Sequence, residues 1–136
     1  MEPAILVELR YLIYCGVLML VLWIPYISAE LSVCGVGWAL SYPDERTLPD
    51  WALRLKAAHY NLVENIAPFA IAVLAGQLLE IHTGLTAACA MIFFWARVAH
   101  PIMQVLRIWG TRTLTFAIGQ TASLVYLIVI LLDVTR

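Results

Sequence analysis

The sequence predicts an all-α membrane protein built as a bundle of four transmembrane helices. Three observations carry that prediction. The chain of 136 residues is 63% hydrophobic and 12% charged, where a soluble domain is roughly half apolar and a quarter charged. Its mean hydropathy is +0.90. Apolar runs near the ~20 residues that a bilayer requires recur between short polar breaks, four times in all. The length suits one domain, residues 1–136. With a net charge of −1, bulk electrostatics suggests neither nucleic acid nor an acidic lipid surface as partner.

The first span is predicted over residues 4–30. Met1-Glu2-Pro3 is acidic where a signal peptide is positive, and the run from Ile5 to Ile27 is too long for a leader's apolar core. Pro25 should kink its last turns. Glu8 and Arg10 sit close enough to its start to reach the headgroups, and its middle carries no charge. Gly35, Gly37, Pro43, Pro49 and the run Asp44-Glu45-Arg46 then mark an aqueous loop. Asp50 is placed to N-cap the second span, residues 51–79, whose first two turns should project into water. A turn at Glu80-Ile81-His82-Thr83-Gly84 leads to the third span, residues 85–108. The fourth, residues 111–133, follows Gly110 and leaves Arg136 outside the membrane.

Four spans put both termini on one side. Arg46, Arg54, Lys56, Arg97, Arg107 and Arg112 flank the first and third loops, against Arg10 and Arg136 at the termini. Positive charge accumulates on the cytoplasmic side, so loops 1 and 3 are expected there and both termini outside. Short loops fit a bacterial inner membrane.

Three of the spans carry a polar seam. At ~100° per residue, Arg54, Asn61, Glu64 and Asn65 share one face of the second. Arg97, His100, Gln104 and Arg107 are spaced by three or four in the third. Arg112, Thr115, Gly119, Ser123 and Tyr126 continue the pattern in the fourth, flanked by Phe116 and Gln120. Polar seams in lipid face inward or toward another subunit. An intramembrane carboxylate is expensive without a partner. Glu64 lies about 15 residues and Arg97 about 12 from the outer ends of their helices, heights that agree within a turn at ~1.5 Å per residue. A Glu64–Arg97 ion pair is therefore expected, and it can both set helix register and hold a cationic ligand group.

Arg107 reads as a side chain snorkelling to lipid phosphate. Arg112 has two readings: the same one, or an anion site that stabilises a thiolate. Cys15, Cys34 and Cys89 have no framework spacing and read as small buried hydrophobes. His59, His82 and His100 fall on different faces or opposite ends, so no metal is expected. Trp38, Trp51 and Trp109 fit interface anchors.

The segment Ala58-His59-Tyr60-Asn61-Leu62-Val63-Glu64-Asn65 with Pro68-Phe69, then Arg97-Val98-Ala99-His100, then Arg112 and Gln120, resembles the membrane-associated proteins in eicosanoid and glutathione metabolism. The likeness covers the last three spans; the first matches by hydropathy alone. It implies a homotrimer of four-helix bundles with the active site between subunits. It also implies glutathione as co-substrate, conjugated to lipophilic electrophiles or used to reduce peroxides. By position, Asn61 and Glu64 would hold the amino end of glutathione. His100 would line the pocket and Arg112 would stabilise the thiolate. Arg97, Gln104, Arg54 and Tyr60 complete the candidate substrate contacts. The chain departs from the family where basic residues flank the histidine of the second span, having Ala57 and Tyr60, and where a tyrosine follows the last arginine, having Phe116. Arg54, Lys56 or Arg46 could supply the missing charge. These departures motivate the rival reading, a non-catalytic lipid-binding or scaffolding homologue. A small four-helix exporter is set aside because it needs an embedded carboxylate in the first span.

Overall fold

A computed structural model describes residues 5–41 and 48–135. Met1, Glu2, Pro3, Pro43, Asp44, Glu45, Arg46 and Arg136, invoked above, and residue 4 at the start of the first span lie outside the described residues. The helices are α1 (Ile5–Cys34), α2 (Val36–Ala39), α3 (Asp50–Leu78), α4 (Gly84–Leu106) and α5 (Thr111–Val134), and no strand occurs among the described residues. All except the four-residue α2 are long and apolar enough to cross a membrane. The protein is an integral multi-pass membrane protein.

Helix ends differ from expectation for local reasons. α1 runs through Pro25 to Cys34. Pro68 and Pro101 also lie inside helices, as membrane bundles allow when neighbours satisfy the freed backbone groups. Asp50 is the first residue of α3 rather than its cap, a position taken by Pro49. There its charge still complements the helix dipole. α4 stops at Leu106 because Arg107 turns left-handed, with φ 58°. That conformation ends helices and suits glycine better than arginine.

α4 packs most closely on α5 and α1 most closely on α3, while the backbones of α1 and α5 stay apart among the described residues. The core joins Cys15 of α1, Phe69 and Val73 of α3, Phe93 of α4, and Tyr126 of α5. Phe69 and Phe93 stack with ring centroids 4.0 Å apart. Gly76 lets α3 approach α5: a Cβ there would sit 3.1 Å from the Tyr126 hydroxyl. Small residues at helix contacts are the usual device in lipid, where tight packing replaces the hydrophobic effect. A smaller cluster, Tyr26, Leu48 and Ala52, closes the opposite end. Nearby, the Tyr26 hydroxyl lies 2.8 Å from His59 Nδ1 and ties α1 to α3.

Glu8 corrects the sequence reading. Its side chain is fully enclosed rather than in the headgroups, so the first span does carry a buried carboxylate, near its start. The Thr86 hydroxyl donates to Glu8 Oε1 at 2.6 Å, and His82 Nδ1 lies 3.8 Å from the same oxygen. Thr86 also forms the capping box with Thr83 that starts α4. One hydroxyl thus joins α1 to the α3–α4 turn. Thr86→Val, nearly isosteric, should cost about 1–3 kcal/mol because it strips a buried carboxylate of its donor. Unfolding of purified protein in a titration of denaturing detergent measures it.

Candidate functional site

α3, α4 and α5 bring their seams together at the end of the bundle that holds the α4–α5 turn. There a cleft of about 460 Å³ is lined by Asn61, His100, Gln104, Arg112 and Thr113, with Ala57 and Phe116 as apolar wall. The helical spacing explains the convergence. His100 and Gln104 stand one turn apart on α4. Arg112 opens α5, and Asn61 sits at the edge of the buried face of α3.

The floor of the cleft is rigid. Arg97 is 1% exposed, and its Nη1 donates to Asn61 Oδ1 at 2.8 Å. Its guanidinium lies 4.9 Å from the Phe93 ring centroid and 5.6 Å from that of Phe116. Gly119 presses on it from α5, where a Cβ would be 3.2 Å from Arg97 Nε. Arg97 Nε and Nη2 have no hydrogen-bond partner among the described residues. Beside it, Gln120 Nε2 donates to Asn65 Oδ1, tying α5 to α3. His100 Nδ1 is 3.1 Å from Thr115 Oγ1, so α5 also sets the plane of that imidazole. Three cross-helix contacts therefore orient the polar wall before any ligand arrives.

The expected Glu64–Arg97 ion pair is absent. Glu64 is exposed on the outer surface of α3, and Asn61, one turn earlier, meets the guanidinium instead. Taking ~100° per residue, Glu64 lies roughly 135° round α3 from the middle of its buried face, and Asn61 roughly 75°. Height agreed, and rotation did not. Tyr60 is likewise on the outer surface, 53% exposed, close to Glu64 and away from the cleft lining. Arg54 lines a second cleft beside the first, shared with Gln104 and Arg112. So the cleft gathers Asn61, His100, Gln104 and Arg112, with Arg97 buried behind Asn61. Glu64 and Tyr60 face outward from the single chain.

Sequence reasoning missed Thr113 as a lining residue because it falls off the seam that begins at Arg112. It also missed the bond between His59 and Tyr26, since no pattern links α1 to that histidine. Among the described residues no three His, Cys, Asp or Glu side chains converge as a metal site would need. A charged guanidinium at the rim, an imidazole, two amides and a hydroxyl can hold a polar, anionic molecule. They can also stabilise negative charge developing on it.

A family model described as the MAPEG family matches residues 11–132. No curated protein matches.

Proposed function

The chain belongs to the MAPEG family, and on that premise we propose that it is a membrane-bound transferase or peroxidase that joins glutathione, or a related thiol, to lipophilic electrophiles. The observation that supports this best is the meeting of the Arg112 guanidinium, which has no ion-pair partner among the described residues, with a polar wall of Asn61, His100 and Gln104 that is already oriented. Arg112 stabilises the thiolate, the species that attacks. Asn61, His100 and Gln104 hold the polar body of the thiol, with Arg54 supplying charge from the neighbouring cleft. The electrophile enters laterally from the bilayer.

The working unit is a homotrimer whose clefts lie at subunit boundaries. Exposure of Glu64 supports an assembly. A carboxylate on the outer face of a membrane helix is expensive in lipid, and a neighbouring subunit that covers Glu64 and Tyr60 removes that cost. Both residues then join the site from the boundary, Glu64 accepting the ammonium of the thiol peptide. Arg54, Lys56, Arg107 and Arg112 crowd one end of the bundle. This favours loops 1 and 3 in the cytoplasm, both termini outside, and an inner bacterial membrane.

Titration calorimetry with glutathione tests the thiol site. Saturable heat at or below millimolar ligand is expected from the purified assembly. No heat at that concentration would overturn the reading and favour the rival, a lipid-binding homologue that kept the bundle alone. Ala57 and Phe116 favour the rival, since both put apolar surface into the cleft.

A further inference from the structure

Beside the thiol cleft lies a second one, of about 280 Å³, that the transferase reading does not need in full. Arg54 from α3, Arg107 from the end of α4 and Arg112 from the first turn of α5 all line it. Among the described residues their only acid is Asp50. A single oxygen, Oδ2, lies 3.5 Å from Arg54 Nη1 and 3.8 Å from Arg107 Nη1. Both separations are long for a charge-assisted hydrogen bond, and the Asp50 side chain is 75% exposed. Arg112 has no ion-pair partner among the described residues. Arg54 Nε is buried without a hydrogen-bond partner among the described residues. Among the described residues the cleft therefore holds three guanidiniums against one weakly engaged carboxylate.

Two further features run against the local energetics unless an anion is present. Arg112 puts a cation into the first turn of α5, at the positive end of a helix dipole. Gly110, the N-cap of α5, makes no side-chain cap bond; Thr111 N–H donates to the Ile108 carbonyl, and the next N–H groups of the first turn receive no acceptor from the cap. A tetrahedral anion with several oxygens can meet donors arriving from three helices, where a carboxylate offers two oxygens. Depth identifies its source. Trp109, in the turn beside Arg107 and Gly110, is 96% exposed, and tryptophan in such a turn sits at headgroup level. Phosphate is the abundant anion of that layer.

We propose that the cleft between Arg54, Arg107 and Arg112 is a phosphate site that binds the headgroup phosphate of a membrane phospholipid. It does not rest on the thiol chemistry, although Arg112 and Gln104 border both clefts and Arg54 also serves the thiol reading; Arg107 belongs to this cleft alone. A lipid seated there would brace the α4–α5 turn next to the place where the thiol binds.

The test titrates purified protein with dioctanoyl-phosphatidylglycerol, with dioctanoylglycerol, which lacks the phosphate, and with inorganic phosphate. Native mass spectrometry and thermal shift read the binding. Saturable retention of the phosphatidylglycerol is expected, with competition by inorganic phosphate and no retention of dioctanoylglycerol. Arg107→Gln should weaken that retention about tenfold or more, as loss of a charge-assisted contact implies. Arg107→Lys should restore part of it. Because the Arg107 side chain is 70% exposed, its replacement leaves packing intact. Glutathione heat should be unchanged in Arg107→Gln, which separates this site from the thiol cleft. Equal retention of both lipids, or retention indifferent to Arg107→Gln and Arg54→Gln, overturns the proposal. Arginine-dependent binding of inorganic phosphate without lipid retention overturns the lipid source and assigns the cleft to a soluble phosphate compound.

Discussion

Asn61→Leu is expected to lower the stability of the bundle by about 3 kcal/mol, and Asn61→Asp to preserve it. Arg97 is buried at 1% exposure, and the Asn61 side-chain oxygen is its sole hydrogen-bond acceptor among the described residues. The rings of Phe93 and Phe116 offer their faces to the cation, but such contacts saturate none of its N–H groups. Leucine would leave a buried charge with no acceptor. A hydrogen bond to a charged group is worth roughly 1.5–3 kcal/mol, and breaking a buried pair costs about 3–5. Aspartate instead brings a compensating charge to the same place. The guanidinium already lies against Gly119 of α5, where an added Cβ would sit 3.2 Å from Arg97 Nε and Nη2, so it has no room to swing further that way. Unfolding in mixed micelles, followed by helical signal, measures the change. If Asn61→Leu unfolds with its parent, Arg97 is neutralised from outside the single chain, with Glu64 of a neighbouring copy the first candidate.

This contrast shows where the sequence was legible. Four spans could be read because crossing ~30 Å of hydrocarbon demands long apolar helices, and few other folds tolerate them. The inward seam of α4 could be read because Arg97, His100 and Gln104 repeat at helical spacing, and such a stripe in lipid must face protein. The partner of Arg97 was not legible. Counting residues from a helix end gives height alone, and Asn61 and Glu64 differ chiefly in rotation about α3. Glu8 was misread for a related reason. Its place near the end of α1 suggested water, yet α1 leans on the start of α4, where Thr86 supplies a donor. Arg107 looked like an independent surface side chain because its left-handed backbone, which turns it toward the cleft of Arg54 and Arg112, has no signature in arginine.

The outward position of Glu64 bears on how the site is completed. In one chain the cleft has a cationic rim at Arg112 and a wall of amides and imidazole, but among the described residues its lining holds no carboxylate. A thiol peptide with an ammonium group and two carboxylates needs both signs of charge. Glu64 stands outside the cleft on the same helix as Asn61. A cleft closed between copies would receive the missing negative charge without any rearrangement of the bundle. Covering Glu64 and finishing the site are then the same event.

Arg112→Ala is expected to reduce turnover of a model electrophile by about 10²–10³-fold, the range for removing one donor that stabilises a developing or transferred negative charge. The direction with pH follows from charge. A cation beside the sulfur favours the thiolate and lowers the pKa of the bound thiol below its free value, near 8.5 for a cysteine thiol. Without Arg112 the bound thiol ionises at higher pH. The ascending limb of the rate profile should therefore move to the alkaline side, and raising the pH should recover part of the lost rate. Arg112→Lys, which keeps a charge and loses the planar fork, should fall between. Stopped-flow absorbance of the thiolate on mixing with glutathione gives an independent reading, and its amplitude should vanish in Arg112→Ala. A variant that still forms thiolate, or whose pH profile stays in place while the rate drops, would make Arg112 a binding contact and move the activating charge elsewhere, with Arg54 next in line on the neighbouring wall.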